Sequence, residues 1–223
     1  TFLDACIGRI LDAVERRPDA ENTVICFFSD HGDHLGDHRA WQKESFFEAS
    51  CRVPFLASWP ARWPGSVRLP HLATLTDLFG LATSVAGVAE LRDGHDLAGV
   101  ISGQVAPRDQ VCGMFGSPGS TKFKAMIRQG DWKYIWLANG GRELLFNLTR
   151  DPGETRSFAP EEPEVTGRLR GDLARRLAEQ AATQAALTGE GRLRAFPFAP
   201  FPRERIRQFA RGITDFGQAA LSG

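Results

Sequence analysis

The sequence lacks any run of about 18 apolar residues, the length that a membrane-spanning helix requires, so we predict no transmembrane segment. It also lacks an excess of charge of one sign, because 27 basic and 27 acidic side chains cancel. A nucleic-acid partner, which needs a basic surface, is therefore not expected. No secretory signal opens the chain, but the chain begins at Thr1 rather than at a methionine. We expect that the start is cut, which leaves the compartment, cytoplasmic or periplasmic, open.

Cysteine is scarce, and its spacing excludes two further kinds of site. The four cysteines are Cys6, Cys26, Cys51 and Cys112, with no C-x-x-C pair among them. Neither a zinc site built from them nor a disulfide framework is expected in a chain of this length. Cys6 and Cys26 lie in apolar runs and are predicted to be small buried thiols. The 223 residues suffice for one sizeable domain or two small ones.

The first part of the chain has the pattern of an α/β fold. Apolar residues at helical spacing predict a helix over 3–17, which Pro18 ends. The continuous apolar run 23–28, rich in β-branched and aromatic residues, predicts a strand buried on both faces of a parallel sheet. The other elements predicted here are a helical turn over 44–50, a strand over 53–57 and a helix over 76–86. We assign residues 1–106 to one α/β domain.

From about residue 107 the pattern changes to short strands separated by glycine and asparagine turns, which is typical of an antiparallel meander. The predicted strands cover 111–115, 122–128, 132–137 and 143–148. A long amphipathic helix over 162–187 is predicted to pack on this small sheet, giving a second domain over 107–190. The Pro- and Phe-rich basic tail, 191–223, is expected to wrap over its own domain or a neighbouring subunit, as in a homo-oligomer. Disorder of the tail is the alternative.

Polar residues follow the apolar strand at the position where α/β folds bind their ligands. Asp30 and His31 offer a carboxylate and an imidazole, which together suit a divalent cation. An Asp-His-Gly tripeptide is, however, also a common turn. Lys43 can bind an oxyanion near such a cation as a point charge, or it can be an ordinary solvated surface lysine. These residues by themselves leave both interpretations open.

Seven further motifs, taken together with the apolar strand, resemble those of a known family. They are S-D-H-G-D at 29–33, L-G-D-H at 35–38, W-Q-K at 41–43, E-A-S-C-R-V-P at 48–54, D-G-H-D-L at 93–97, R-Q-G-D-W-K-Y-I at 128–135 and E-L-L-F-N-L-T-R-D-P-G-E at 143–154. The set resembles the sulfatase family of the alkaline-phosphatase-like superfamily over about residues 3–158. The sequence departs from that pattern at Asp96, where the family has Ser, and in an altered Pro-Thr pair of the helix at 75–87.

The resemblance implies the C-terminal part of an alkaline-phosphatase-like α/β sandwich, followed by a small antiparallel sheet with a packed C-terminal helix. It implies that Asp30 and His31 are two ligands of an active-site metal. Calcium is usual in sulfatases, and manganese or zinc occurs in phosphonate monoester hydrolases. Lys43 would be the catalytic and substrate-binding residue that contacts the sulfate or phosphate oxygens. His34 and His38 carry no family role and are expected in the loop or behind the ligands.

The nucleophile of that family is absent from the sequence. It is a formylglycine made from the Cys or Ser of a C-x-P-x-R motif, and the run Cys51-Arg52-Val53-Pro54 has the wrong order. Cys51 is instead expected to face the core. We expect the formylglycine and the remaining metal ligands to lie in an N-terminal half outside this chain. The chain alone is therefore expected to be inactive and marginally stable.

Three hypotheses follow for the function. In the first, the complete protein hydrolyses a small-molecule sulfate ester, or a phosphonate or phosphate ester, and this chain is its C-terminal portion. In the second, the chain is a truncated or degenerate module without catalysis. The third is a phosphodiesterase or phosphomutase of the same superfamily, which also has an Asp-His-Gly turn. The W-Q-K and R-V-P segments favour the sulfatase branch over the third.

Overall fold

A computed structural model of the protein describes residues 1–63, 65–88, 90 and 93–200. The helices are α1 (Phe2–Glu15), α2 (Glu48–Cys51), α3 (Asp77–Val85), α4 (Leu97–Ile101) and α5 (Pro163–Ala178). The strands are β1 (Ile25–Phe28), β2 (Phe55–Ser58), β3 (Gln110–Phe115), β4 (Lys124–Gln129), β5 (Trp132–Leu137) and β6 (Arg142–Asn147). This order confirms the predicted α/β class with a small antiparallel sheet and a C-terminal helix. None of the helices in these ranges is both long and apolar enough to cross a membrane.

Strands β1 and β2 form a two-stranded sheet whose direction differs from the prediction. They run antiparallel, with Ile25 opposite Ser58 and Phe28 opposite Phe55. A continuous apolar run indicates burial but carries no information on the direction of the neighbouring strand. The expected burial on both faces is also not met, because Phe28 is 44% exposed. Helix α1 likewise contains no buried residue.

The four cysteines are free thiols, as the absence of a pairing pattern indicated. Cys6 and Cys26 are only partly buried, so the prediction that both would be fully buried was wrong. The reason lies in their elements: Cys6 belongs to the exposed helix α1, and Cys26 to the half-exposed strand β1. The apolar runs that carry these cysteines lie at the surface of the part of the chain that the structure describes.

The small sheet has the strand order β3-β4-β5-β6, and every neighbouring pair is antiparallel. One face packs against α5 and forms the main core. Its residues that are 0% exposed are Ala125, Ile127, Tyr134, Leu145, Leu169 and Leu173. Burying each such leucine or isoleucine stabilises the fold by about 1.5–3 kcal/mol. The predicted packing of the long helix on the sheet is therefore confirmed.

The opposite face of the small sheet packs against the first domain. Met126, Ile135 and Phe146 form a second cluster there, and the rings of Phe46 and Phe47 pack on it. Strand β3 allows this approach because residue 113 is a glycine: a Cβ atom at Gly113 would lie 2.8 Å from the ring of Phe46. The small sheet thus contacts the segment that follows Lys43.

Helix α5 ends at Ala178, earlier than the predicted boundary at 187. Gln180 is extended, with φ −115° and ψ 127°, and a short 3₁₀ helix follows over Ala181–Ala186. The hydroxyl of Thr183 donates to the carbonyl of Leu177, so a side chain replaces the helical bond at this end. The apolar spacing of four residues continues across this break with Ala181 and Ala185, which is why the sequence pattern did not reveal it.

The first part of the predicted tail lies on its own domain. The amide of Phe196 donates to the carbonyl of Ala138 at 2.9 Å, and the amide of Gly140 donates to the carbonyl of Phe196 at 2.9 Å. The side chain of Asn139 exchanges two hydrogen bonds with the backbone of Ala199. The remainder of the predicted tail, 201–223, lies outside the described residues.

Candidate metal and anion site

The chain turns sharply after β1, and this turn carries the predicted metal ligands. The Ser29 hydroxyl donates to the carbonyl of His31 at 2.7 Å, and the amide of Gly32 donates to the carbonyl of Ser50 at 2.8 Å. A Cβ atom at residue 32 would overlap the carbonyl oxygen of Ala49. Residue 32 must therefore be a glycine, because α2 approaches the turn too closely for a side chain. This approach holds the turn against α2.

The imidazole of His31 is held in one tautomer. Its Nδ1 atom lies 2.7 Å from the carbonyl oxygen of Gly32, and a carbonyl oxygen can only accept a hydrogen bond. Nδ1 therefore carries the proton, and Nε2 presents its lone pair. The ammonium of Lys43 donates to this lone pair at 2.6 Å. A ring orientation fixed by a backbone carbonyl is the usual arrangement for a histidine that ligates a metal.

Asp30 and His31 have the spacing that two ligands of one cation require. Oδ2 of Asp30 lies 3.3 Å from Nε2 of His31. Ligand atoms that each lie 2.0–2.6 Å from one divalent cation are roughly 3 Å apart. The Asp30 side chain is 81% exposed, so its carboxylate is free to turn toward an ion. The two residues therefore fit a divalent cation.

The pair does not form a complete metal site by itself. Across 1–63, 65–88, 90 and 93–200, no group of three or more His, Cys, Asp or Glu side chains is placed to hold a metal ion. Calcium takes six to eight ligands and zinc takes four. Asp30 and His31 would thus supply only two ligands of a larger set.

The loop between His31 and Lys43 is closed by Asp33 and contains strained backbone. Oδ1 of Asp33 accepts from the amides of Leu35 and Gln42, both at 3.1 Å. Four residues other than glycine have positive φ in this loop, namely Leu35, His38, Arg39 and Gln42. Such conformations each cost about 1–3 kcal/mol and persist only where the surroundings impose them. The sequence pattern gave no indication of this strain.

His34 and His38 lie in the loop but point away from Asp30 and His31, toward the segment after Lys43. His34 is 2% exposed, and its Nε2 lies 2.6 Å from the hydroxyl of Ser45. The ring of His38 stacks on Phe47 with 3.9 Å between ring centroids. Both histidines therefore support the backbone that carries Lys43.

Sequence reasoning missed the residues that hold the backbone of Lys43. Ser50, which is buried, donates to the carbonyl of Lys43, and Lys124 and Lys133 donate to the carbonyls of Glu44 and Phe46. One available signal was the lysine at 133, a charge at the second position of the otherwise largely apolar strand Trp132–Leu137. A charged side chain in such a position needs buried partners.

Cys51 does not have the environment of a nucleophile. The residue as a whole is exposed, contrary to the expectation that it faces the core, because α2 lies at the surface of the first domain. Its sulfur nevertheless turns inward and donates to the carbonyl of Phe46 at 3.3 Å. Burial of the sulfur raises the pKa of the Cys51 thiol, and the nearby Lys133 ammonium only partly offsets this. A raised pKa disfavours the reactive thiolate.

Comparison with known proteins places these features in a family. The sulfatase family model matches residues 1–91. The chain is 35% identical to the choline-sulfatase of Rhizobium meliloti (strain 1021) over 164 residues, which are 71% of this chain and 31% of that protein. It is 30% identical to arylsulfatase K of Mus musculus over 175 residues, 73% of this chain and 32% of that protein. The chain therefore spans about a third of the length of these relatives.

Solved structures give the same result for the fold. The chain superimposes on BT1596, described as a 2-O GAG sulfatase, with a TM-score of 0.71 and 26% identity, covering 84% of this chain and 42% of that one. It superimposes on the phosphonate monoester hydrolase of Agrobacterium radiobacter with a TM-score of 0.68 and 25% identity, covering 87% and 43%. The architecture is thus that of part of an alkaline-phosphatase-like fold.

Proposed function

This chain belongs, over residues 1–91, to the sulfatase family, and from that premise we propose that the complete protein hydrolyses a sulfate ester of a small molecule. Asp30 and His31 are the metal ligands in this proposal, and Lys43 is the catalytic residue that binds the anion. One observation carries it: inside the segment that matches the family, Oδ2 of Asp30 lies 3.3 Å and the ammonium of Lys43 lies 2.6 Å from Nε2 of the oriented imidazole of His31.

Lys43 has the position that an anion-binding group needs. Its ammonium contacts Nε2 of His31, the ring nitrogen that Oδ2 of Asp30 also approaches. Negative charge on the sulfuryl oxygens of a bound ester would therefore meet a fixed positive charge. Stabilisation by such a preorganised group is among the largest single contributions to catalysis of acyl and phosphoryl transfer. Lysine serves this purpose as a point charge, without the paired geometry of arginine.

The donor set supports a divalent cation as the cofactor. Asp30 and His31 would hold it, with further ligands from outside the described residues. A cation there would polarise the bonds from sulfur to oxygen in a bound ester. Calcium and manganese prefer oxygen ligands, whereas imidazole suits zinc, so a mixed carboxylate and imidazole pair does not select among the three.

The 223 residues contain no C-x-P-x-R motif. An S-x-P-x-R run occurs at 58–62, but its Ser58 pairs with Ile25, at the end of β1 that is remote from Asp30. The nucleophile of the proposed reaction is therefore placed outside this sequence. A formylglycine in another part of the complete protein is the nucleophile that we propose. The residues of this chain then bind and orient the ester and balance its charge.

A phosphonate or phosphate monoester is the second candidate substrate. The observation that favours it is the match to a phosphonate monoester hydrolase, which has a TM-score close to that of the sulfatase match. Sulfate and phosphonate monoesters present similar tetrahedral oxyanions to Lys43. Sulfate and phosphonate monoesters each carry one negative charge on the oxygens that remain, whereas a phosphate monoester carries up to two.

The test is an assay of the complete protein with aryl sulfate, aryl phosphonate and aryl phosphate esters. The protein is first treated with a chelator and then given Ca²⁺, Mn²⁺ or Zn²⁺. We expect aryl sulfate to be cleaved fastest, with activity lost on chelation and regained with one of the cations. Activity that survives complete metal removal would contradict the roles of Asp30 and His31. Complete protein that cleaves none of the three esters would support the non-catalytic hypothesis.

A further inference from the structure

Residues 43–46 form no helix or strand, yet the backbone carbonyl groups of all four residues accept hydrogen bonds. The Ser50 hydroxyl donates to the carbonyl of Lys43 and, at 3.3 Å, to that of Ser45. The carbonyls of Glu44 and Phe46 accept from the ammonium groups of two lysines. Side chains thus take the place that a helix or sheet ladder has elsewhere.

The two lysines belong to the small sheet, far along the chain. Nζ of Lys124, on β4, donates to the carbonyl of Glu44 at 2.6 Å, across 80 residues of sequence. Nζ of Lys133, on β5, donates to the carbonyl of Phe46 at 2.7 Å, across 87 residues. Both lysines lie on the sheet face that packs on the first domain, since each is two residues before a member of that apolar cluster.

Lys133 is held in its own position by buried carboxylates. It is 0% exposed, and its ammonium lies 2.7 Å from Oε1 of Glu48 and 2.6 Å from Oε1 of Glu154. Arg128 lies 3.8 Å from Glu48, so two cations balance two carboxylates. Glu154 also accepts from the amide of Glu48 at 2.5 Å. These contacts fix α2, the turn at Glu154 and strand β5 to one another.

Apolar packing reinforces the same contact. The ring of Phe46 fits over Gly113, and Phe47 packs against Phe146 with 5.7 Å between ring centroids. The small sheet therefore contacts residues 43–47 through two charged hydrogen bonds and through both phenylalanine rings. From this segment, the side chain of Lys43 extends to Nε2 of His31.

We propose that the small sheet is a positioning part of the active site, in which Lys124 and Lys133 hold the backbone of residues 43–46 so that Lys43 lies beside His31. The inference rests on the proposed function, because it explains the contacts of Lys124 and Lys133 by the anion-binding role proposed for Lys43. Lys124 and Lys133 touch neither substrate nor metal, so they are positioning residues. The sheet thereby influences a reaction that takes place on the other domain.

The alternative is that these lysines only hold two domains together. A double-mutant cycle separates the two roles. If Lys124 acts through Lys43, then Lys124→Met loses its effect once Lys43 is Ala, because contacts in one chain of interactions are not additive. A general loss of stability would instead lower activity equally in both backgrounds.

Lys124 is the residue to vary first, because it is partly exposed and its loss leaves no buried carboxylate unpaired. In the complete protein, we expect Lys124→Met to lower kcat/KM by roughly ten- to a hundredfold, as expected for a displaced catalytic group. In the Lys43→Ala background the same change is expected to alter kcat/KM less than about twofold. Lys124→Arg, which keeps a cationic donor, is expected to restore most of the loss. Lys122→Met is the matched control, since the Lys122 side chain makes no hydrogen bond or ion pair with described residues.

Amide hydrogen exchange gives a readout that does not depend on activity. The amide of Ser45 donates to the carbonyl of Lys43 at 2.8 Å, and that of Phe47 donates to the Ser45 hydroxyl at 3.2 Å. We expect peptides that cover 43–47 to exchange faster in Lys124→Met and in Lys133→Met than in Lys122→Met. Unchanged exchange there, or an equal loss of kcat/KM with and without Lys43, would overturn the positioning role.

The two proposals fail in different ways. If the unvaried complete protein cleaves no ester, the proposed function is wrong, and hydrogen exchange alone decides whether the sheet holds residues 43–47. If the protein is active and Lys124→Met leaves kcat/KM unchanged, the proposed function stands and the positioning role is overturned.

Discussion

Nζ of Lys43 lies 2.6 Å from Nε2 of His31, and the Nε2 lone pair can serve only one partner at a time. The same lone pair is the one that a metal ion would use, because Nδ1 is bonded to the carbonyl of Gly32. Metal binding to His31 and this contact with Lys43 therefore exclude each other. A cation bound at His31 would displace the ammonium of Lys43 and leave it free to face an anion beside the ion.

The ligand roles of Asp30 and His31 lead to the first prediction. In the complete protein, Asp30→Ala or His31→Ala should abolish ester hydrolysis with little loss of fold, because the Asp30 side chain is 81% exposed and that of His31 36%. Steady-state kinetics and bound-metal content measure the first effect, and thermal unfolding measures the second. Asp109→Ala and His71→Ala are matched controls at exposed positions. Near-normal turnover in either ligand variant would show that the assignment is wrong.

Lys43 carries the second prediction. Lys43→Ala should lower kcat and kcat/KM together, by an amount on the order of 2–4 kcal/mol in transition-state free energy, as for other groups that stabilise a developing anion. Lys43→Arg should recover only part of the loss, since a planar guanidinium replaces a point charge. The measurement is steady-state hydrolysis of an aryl sulfate by the complete protein. A variant with raised KM and unchanged kcat would instead assign Lys43 to ground-state binding alone.

The buried charge of Lys133 gives a prediction about stability. Lys133→Met leaves Glu154 without its cation and Glu48 with only Arg128, 3.8 Å away. Removing one partner of a buried ion pair destabilises a protein by about 3–5 kcal/mol. Urea denaturation of the variant and of Lys122→Met measures the difference. Changing both carboxylates to glutamine in the Lys133→Met background should regain part of the loss, because no buried charge then remains unpaired. A loss below about 1 kcal/mol in the single variant would contradict this account.

The buried phenol of Tyr134 should make the free energy of unfolding depend on pH in the alkaline range. Burial raises the pKa of the Tyr134 phenol, and its hydrogen bond to Glu143 raises it further. A group whose pKa is raised in the folded state contributes stability that is present below its unfolded pKa, here about 10, and is lost as the pH rises above that value. The free energy of unfolding should therefore fall above about pH 10, and Tyr134→Phe should remove that dependence.

The measurement is direct, because Tyr134 is the single tyrosine of the sequence. We expect tyrosinate absorbance to appear only together with the loss of far-ultraviolet circular dichroism, as the chain unfolds. Gradual ionisation with a midpoint near pH 10, while the circular dichroism stays native, would refute the raised pKa.

Local patterns predicted most of the elements well. The strand predicted over 132–137 is β5 to the residue, and α1 and α3 lie within two residues of their predicted ends. The direction of β1 and the break after Ala178 were not predictable in this way. The first depends on which strand is adjacent, and the second on a hydrogen bond from a threonine side chain. Both are decided by neighbours in space.

The candidate site, like the fold, was predicted only in part from the sequence. The structure brings together Asp30, His31 and Lys43, which the family resemblance had proposed for one site, and their roles remain predictions. The strained loop between them and the support from Lys124 and Lys133 were not predicted. Such contacts join residues 80 or more positions apart, and no periodic pattern of a sequence reports them.

The distance along the chain between Lys43 and its supports has a consequence for biosynthesis. Translation delivers the segment at 43–47 well before strand β5, at about 5–20 residues each second. Until Lys124 and Lys133 leave the ribosome, the carbonyls of Glu44 and Phe46 have only water or Cys51 as partners. The nascent chain therefore contains Asp30 and His31 early in synthesis. The backbone of Lys43 can be held in position only after the small sheet has been synthesised. A chain released before residue 133 would carry the ligand pair without the finished site.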